Sequence, residues 1–201
     1  MPIVRLPSGS LRDEVRMPLF DTITLAAAES PIGVRRFFSS VQGKSKARTN
    51  LRQNNLLETA VSYRVQGLAI DAQNFYEENA DVLPVIMENS SLSLKIGEKE
   101  YWSGPMAFLC GRIEASFAAA TTVAATTINN VYQRFGASAV QAVILQGKHC
   151  VDINPLQSFY AEWIIDQADL TAGEITKGTC QPNTNLKVVF SLKGLMRRPV
   201  Q

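Results

Sequence analysis

Histidine is almost missing from this chain, His149 being the only one among 201 residues. Metal centres on β-barrel scaffolds usually need two or three histidines, so that chemistry has too few ligands here. Cysteine is scarce as well. Cys110, Cys150 and Cys180 lie far apart in sequence, none forms a CxxC pair, and their odd number argues against a disulfide framework. A zinc site of about four close ligands is not available. The dipeptide His149–Cys150 reads as two strand neighbours pointing to opposite faces, not as a catalytic pair. GxSxG, GxxxxGK[ST] and GxGxxG do not occur, which removes the usual handles for serine nucleophiles and for nucleotide phosphates. No apolar run reaches the ~18 residues of a membrane span. Charge of one sign is also lacking, with 20 Lys/Arg against 18 Asp/Glu, so the chain does not read as a dedicated nucleic-acid binder. The N-terminus MPIVRLPSGSLRDEVRM has no apolar core of a secretory signal, and folding in a cytoplasm is expected.

What is present is alternation. Ile23 and Leu25 share a face at period two, and Pro31 and Gly33 turn the chain into a β-rich run, Val34 to Phe38. Tyr63, Val65 and then Leu68 or Ile70 face inward if Gly67 adjusts the register. Asp71 is expected to cap a short helix over the following residues, with Phe75, Asn79, Val82 and Ile86 on one face and Pro84 disturbing it. Ser91 to Ile96, Gly97-Glu98-Lys99 and Glu100 to Trp102 form a hairpin signal closed by Gly104-Pro105. Further strands are expected at Ala139–Leu145, Cys150–Ile153, Ser158–Ile165 and Leu186–Leu192, with a polar loop from Asp166 to Asn185. Leu94 and Val189 are both expected inside. Residues 105–138 read as a long Ala/Thr-rich connection with one helical piece within Ala115–Thr127, where alanine favours helix and four threonines oppose it. About eight strands, one or two short helices and Gly/Pro turns make an all-β sandwich or barrel in a single domain. Residues 1–18 form an extended basic arm ahead of the domain at 19–201; residues 1–52 carry nine Lys/Arg against four Asp/Glu.

Candidate chemistry is thin. Glu77-Glu78 would diverge on a helix, and Glu98 and Glu100 flank a hairpin turn. Glu162, followed by Asp166 and Asp169, is the carboxylate set closest to a glycosidase arrangement. Tyr101, Trp102, Phe159, Tyr160 and Trp163 fit a core or a subunit contact better than a sugar groove. Lys44, Lys46, Arg48 and Arg52 cluster around Gly43 in a loop or strand edge. No catalytic residue, cofactor or metal is expected, and the chain is read as a non-enzyme.

The order of the pieces carries a resemblance. A basic arm precedes LFDTITLAAAES, then VRRFFSS, YRVQGLAIDAQNF, the hairpin LSLKIGEKEYWSGP, VDINPLQSFYAEWII and LKVVFSLKGLMRRPVQ. This succession resembles the jelly-roll major capsid proteins of tailless icosahedral bacteriophages, in pattern over most of residues 19–201 and without a signature motif. The connection at 105–138 departs from a minimal jelly roll. The resemblance implies a single jelly-roll β-sandwich and a structural virion protein, made in the host cytoplasm, that self-assembles into an icosahedral shell through arm, loop and edge contacts. Its partners would be copies of itself, other virion proteins, and inner membrane lipids or the packaged genome. Arg5, Arg12, Arg16, Lys44, Lys46 and Arg48 are the residues expected at such contacts. The alternative is a phage-associated carbohydrate- or receptor-binding β-sandwich, with Tyr101, Trp102 or Trp163 as stacking platforms.

Overall fold

The computed structural model describes residues 3–5, 11–73, 82–109, 113–117, 121–123, 126–128, 131–135, 143–145, 147–167, 170, 172, 175 and 185–199. Its strands are β1 (Ile3–Arg5), β2 (Leu11–Arg16), β3 (Leu19–Leu25), β4 (Gly33–Phe37), β5 (Ser62–Gln73), β6 (Ser90–Ile96), β7 (Lys99–Pro105), β8 (Ile113–Phe117), β9 (Thr121–Val123), β10 (Thr126–Ile128), β11 (Val131–Phe135), β12 (Val143–Ile144), β13 (Val151–Ile153), β14 (Phe159–Ile165) and β15 (Leu186–Pro199). One α-helix, α1 (Val82–Glu88), precedes β6.

Two antiparallel sheets contain most of these strands. In the larger, β15 is central: β3 and then β2 pair along one side of it, β1 extends β2, and β5 runs along the other side with β12 and β13 beyond. The smaller sheet has the order β4-β14-β6-β7. Period-two alternation decides which side chains meet between them. Leu186, Val188, Phe190 and Leu192 of β15, with Tyr63, Val65, Leu68 and Ile70 of β5, are buried on the inner face of the large sheet. Phe37, Leu92, Leu94, Ile96, Phe159, Ala161, Trp163 and Ile165 are buried opposite them. Phe37 lies 5.5 Å from Phe190 and 6.2 Å from Trp163 between ring centroids, while Phe38 lies 5.3 Å from Phe159 and 6.0 Å from Phe190. Aromatic pairs at these separations add ~0.5–1.5 kcal/mol each to the burial of their area. An all-β sandwich is therefore what the chain forms.

Gly67 does mark a register change. β5 pairs Gly67 with Lys193 but Val65 with Gly194, leaving Gln66 as the extra residue of a bulge. The crossing is tight, since a Cβ on Gly194 would stand 2.0 Å from the Arg64 carbonyl oxygen. The hairpin at Gly97 forms as expected, Gly97 taking φ +60° between paired Ile96 and Lys99.

Several expectations need correction. Val189 is only half-buried, while Val188 beside it is fully buried, so β15 has the opposite phase from the one expected at that residue. Asp71 is no helix cap; it pairs with Val189 inside β5, which runs on to Gln73. Phe75 and Asn79 lie outside the described residues. The helix described is Val82–Glu88, and Pro84 lies within it. Within Ala115–Thr127 the described residues are strand, not helix: β8 pairs with β11 and β9 with β10, each pair an antiparallel two-stranded sheet. The β-branched Thr121, Thr122, Val123, Thr126, Thr127 and Ile128 outweigh the alanines. His149 is not in a strand either, but exposed in the 3-10 turn Gly147–His149 before β13. Residues 1–18 contain a paired strand: β2 is joined to the C-terminal half of β15.

Candidate functional site

Most residues that could carry chemistry or contacts fall in three places: the outer face of the small sheet, the loop after β4, and the β1–β2 edge. On the first, Tyr160, Glu162 and Ile164 alternate away from the core residues of β14. Glu162 stands opposite Arg36 of β4 and Ser93 of β6. Arg36 Nε donates to Glu162 Oε2 at 2.8 Å and Lys95 Nζ to Oε1 at 2.9 Å. Arg36 and Lys95 also approach the Tyr160 ring, at 5.1 and 6.0 Å from its centroid. The Lys95 and Arg36 hydrogen bonds hold the Glu162 carboxyl below its ordinary range, and the same carboxylate raises Lys95. A carboxylate kept ionised in this way is a poor proton donor. Asp166 ends the strand exposed, and Glu77, Glu78 and Asp169 lie outside the described residues.

Beyond Ile164, an open cavity of about 640 Å³ is bordered by Glu88, Asn89, Ser91, Ser103 and Asp166. No group of three or more His, Cys, Asp or Glu that could hold a metal occurs among the described residues.

The loop after β4 is organised around a carboxylate that sequence reasoning passed over. Asp21 of β3 is fully buried, its Oδ2 accepting from the Phe38 N–H at 2.7 Å and its Oδ1 from Lys44 Nζ at 2.7 Å. Lys44 Nζ also donates to the Thr22 carbonyl at 2.8 Å. Phe38 takes φ +68°, a conformation that L residues seldom adopt, so the Asp21 bond helps to pin it where the chain leaves the small sheet. The available clue was Asp21 at the inward position between Leu19 and Leu25. Read as alternation alone, it looks like a break in the pattern.

The six cations expected at contacts therefore separate. Lys44 is bound to Asp21. Arg12 Nη1 donates to the Ala60 carbonyl at 2.6 Å. Arg16, Lys46 and Arg48 are exposed. Arg5 is in β1 and its side chain lies outside the described residues. Arg52, nearby, forms an exposed ion pair with Glu58 at 3.1 Å.

The five aromatic residues do not share one groove. Phe159 and Trp163 are in the core, with Arg35 stacked 5.4 Å from the Trp163 ring centroid. Trp102 packs partly against the core, Tyr160 is on the outer face, and Tyr101 is exposed under Lys99 at 5.0 Å. Cys150 donates from Sγ to the Leu145 carbonyl at 3.2 Å; Cys110 and Cys180 lie outside the described residues.

Comparisons were made with protein-family models, curated proteins and solved structures. None of them matches.

Proposed function

We propose that this chain is a structural virion protein: a capsid subunit, built on a single jelly roll, that self-assembles into an icosahedral shell. The observation carrying this reading is the strand order. Let β3, β4, β5, β6, β7, β13, β14 and β15 be strands one to eight. The large sheet then runs 1-8-3-6 and the small sheet 2-7-4-5. First pairs with eighth, second with seventh, third with sixth and fourth with fifth, as in one long hairpin rolled into two layers. Double-sheet jelly rolls of this kind build viral shells, lectins and cupins.

Three further observations favour a shell among those uses. The aromatic platforms a lectin would need diverge, Trp163 lying in the core and Tyr101 at a sheet edge. The single histidine, on which a cupin site would depend, is in a surface turn. Apolar side chains also stand exposed at separate points, Phe108 and Leu156 each at 67%. Arg16, Lys46 and Arg48 remain as cations for a neighbouring copy, another virion protein, lipid head groups or packaged genome.

Electron microscopy of the purified protein at rising concentration tests the proposal. Regular particles or ordered arrays are expected. A monomer that persists at every concentration, together with measurable glycan affinity, would replace it with the carbohydrate-binding alternative.

A further inference from the structure

The small sheet ends on two strands that have no neighbour among the described residues on their outer sides, β4 and β7. Each step across β4, β14, β6 and β7 is antiparallel, and there are three steps. The two edges consequently run in opposite directions. A second copy laid head to tail would meet β7 with its β4 in an antiparallel ladder, on an edge whose alternation shifts once, at the bulge that leaves Tyr101 as the extra residue between the Trp102–Leu94 and Glu100–Lys95 pairs.

The edges also differ in charge. Of the two cations of β4, Arg35 turns inward over Trp163 and is paired with Glu29 at 2.9 Å, whereas Arg36 lies on the outer face and its side chain keeps 53% exposure while bound to Glu162. At the other edge Glu98 in the turn and Glu100 in β7 are exposed on either side of Lys99, whose ammonium lies over the Tyr101 ring at 5.0 Å. Arg36 and Glu100 lie on the same outer face, since Arg36 pairs with Glu162, Glu100 pairs with Lys95, and Lys95 itself reaches Glu162. Joining β4 to another β4 would set Arg36 near its own copy, and joining β7 to β7 would do the same to Glu100. Like charges across strands are destabilising, opposite charges favourable. Each edge also exposes an apolar side chain, Val34 at 59% and Tyr101 at 39%. Pro105, lacking an N–H, limits the β7 partner surface to Lys99–Gly104.

We infer that the small sheet is continued from copy to copy, the β7 edge of one subunit pairing with the β4 edge of the next. The contact is heterologous, so repetition closes into a ring or extends into a lattice instead of stopping at a dimer. It deepens the shell reading and rests on it, naming the surfaces through which copies touch.

The test uses the full chain with Cys110, Cys150 and Cys180 replaced by serine. Under mild oxidation, Val34→Cys/Tyr101→Cys should give a ladder of linked dimers and higher species. Mass spectrometry should find the 34–101 disulfide between subunits. Mixing the two single variants should stop at linked dimers, and neither single variant should link by itself. In the unaltered cysteine background, Glu98→Lys/Glu100→Lys should raise the concentration needed for assembly at least tenfold. Particles that form without the 34–101 link, or a Val34→Cys variant that links to itself, would overturn the edge pairing and leave the shell reading standing. Protein that stays monomeric throughout would overturn both.

Discussion

Asp21 and Lys44 show how one buried charge reassigns a residue that looks like surface decoration. The carboxylate has no exposure, and its two oxygens are taken by a backbone N–H and an ammonium. Removing one partner of such a pair leaves the other unpaired in a medium that disfavours charge, at a cost of roughly 3–5 kcal/mol. Lys44→Met should therefore lower the urea midpoint markedly. Asp21→Leu/Lys44→Met should recover part of the loss, and alanine at Lys46 or Arg48 should change little. An unchanged midpoint for Lys44→Met would return that lysine to the set of free surface cations. Glu162 makes a different prediction, about pH. Its carboxyl is depressed in the folded chain, so its contribution is complete at neutral pH. That contribution is lost as pH falls below the ordinary carboxylate value and through the lower folded one. Lys95, raised by the same contact, contributes fully below the ordinary lysine value and loses this as pH rises through its folded value. Glu162→Gln should thus flatten the acid limb of a stability-against-pH curve. An acid limb equal to that of the parent would rule the ion pair out as its source.

β15 is the element on which the large sheet depends, and its phase is testable. Val188 is buried and Val189 half-exposed. Val188→Thr should cost ~1–3 kcal/mol by placing a hydroxyl among apolar side chains, whereas Val189→Thr should stay within about 0.5 kcal/mol in chemical denaturation. Equal effects would mean that the strand is rotated. Its Lys193-Gly194 step has no room for a methyl group, because the Arg64 carbonyl lies 2.0 Å from the built Cβ position. Gly194→Ala is expected to destabilise by about 1–3 kcal/mol, and a thermal midpoint equal to that of the parent would contradict the crossing described. Tyr63 belongs to the same junction. Its hydroxyl lies 2.7 Å from the Leu192 carbonyl oxygen and 2.8 Å from that of Met17, tying β5 to β15 and to the β2–β3 joint. Burial pushes this phenol up, and a backbone hydrogen bond with Leu19 offsets the rise only in part. Beyond that joint, β2 is joined to β15 by its ladder and by ion pairs, Arg197 with Glu14 at 2.8 Å and Arg198 with Asp13 at 3.9 Å, and from Arg12 to Arg16 none of its side chains is fully buried.

At the scale of the molecule, that weak apolar stake separates folding from assembly. Deleting residues 1–17 should leave a folded sandwich by circular dichroism while impairing particle formation. Loss of the fold would make the first strands part of the core instead. Period-two hydrophobicity and the Gly and Pro turns were enough to determine the all-β class, the hairpin at Gly97 and the bulge near Gly67. Those features rest on neighbours within a few residues, whose geometry is the same in any fold. Alternation could not say that Asp21 is buried with Lys44, that β2 lies along β15, or that the Thr-rich stretch near 121–128 is a ribbon. The burial of Val188 and not Val189 was within its reach, because Leu186, Phe190 and Leu192 share the face of Val188 while Lys187, Ser191 and Lys193 share that of Val189. Only the tertiary structure decided the place of Asp21, of β2 and of the Thr-rich stretch, because each depends on which distant strand arrives alongside. A buried carboxylate is tolerable only where an ammonium and an N–H meet it, and a strand edge becomes a surface only once the sheet is complete.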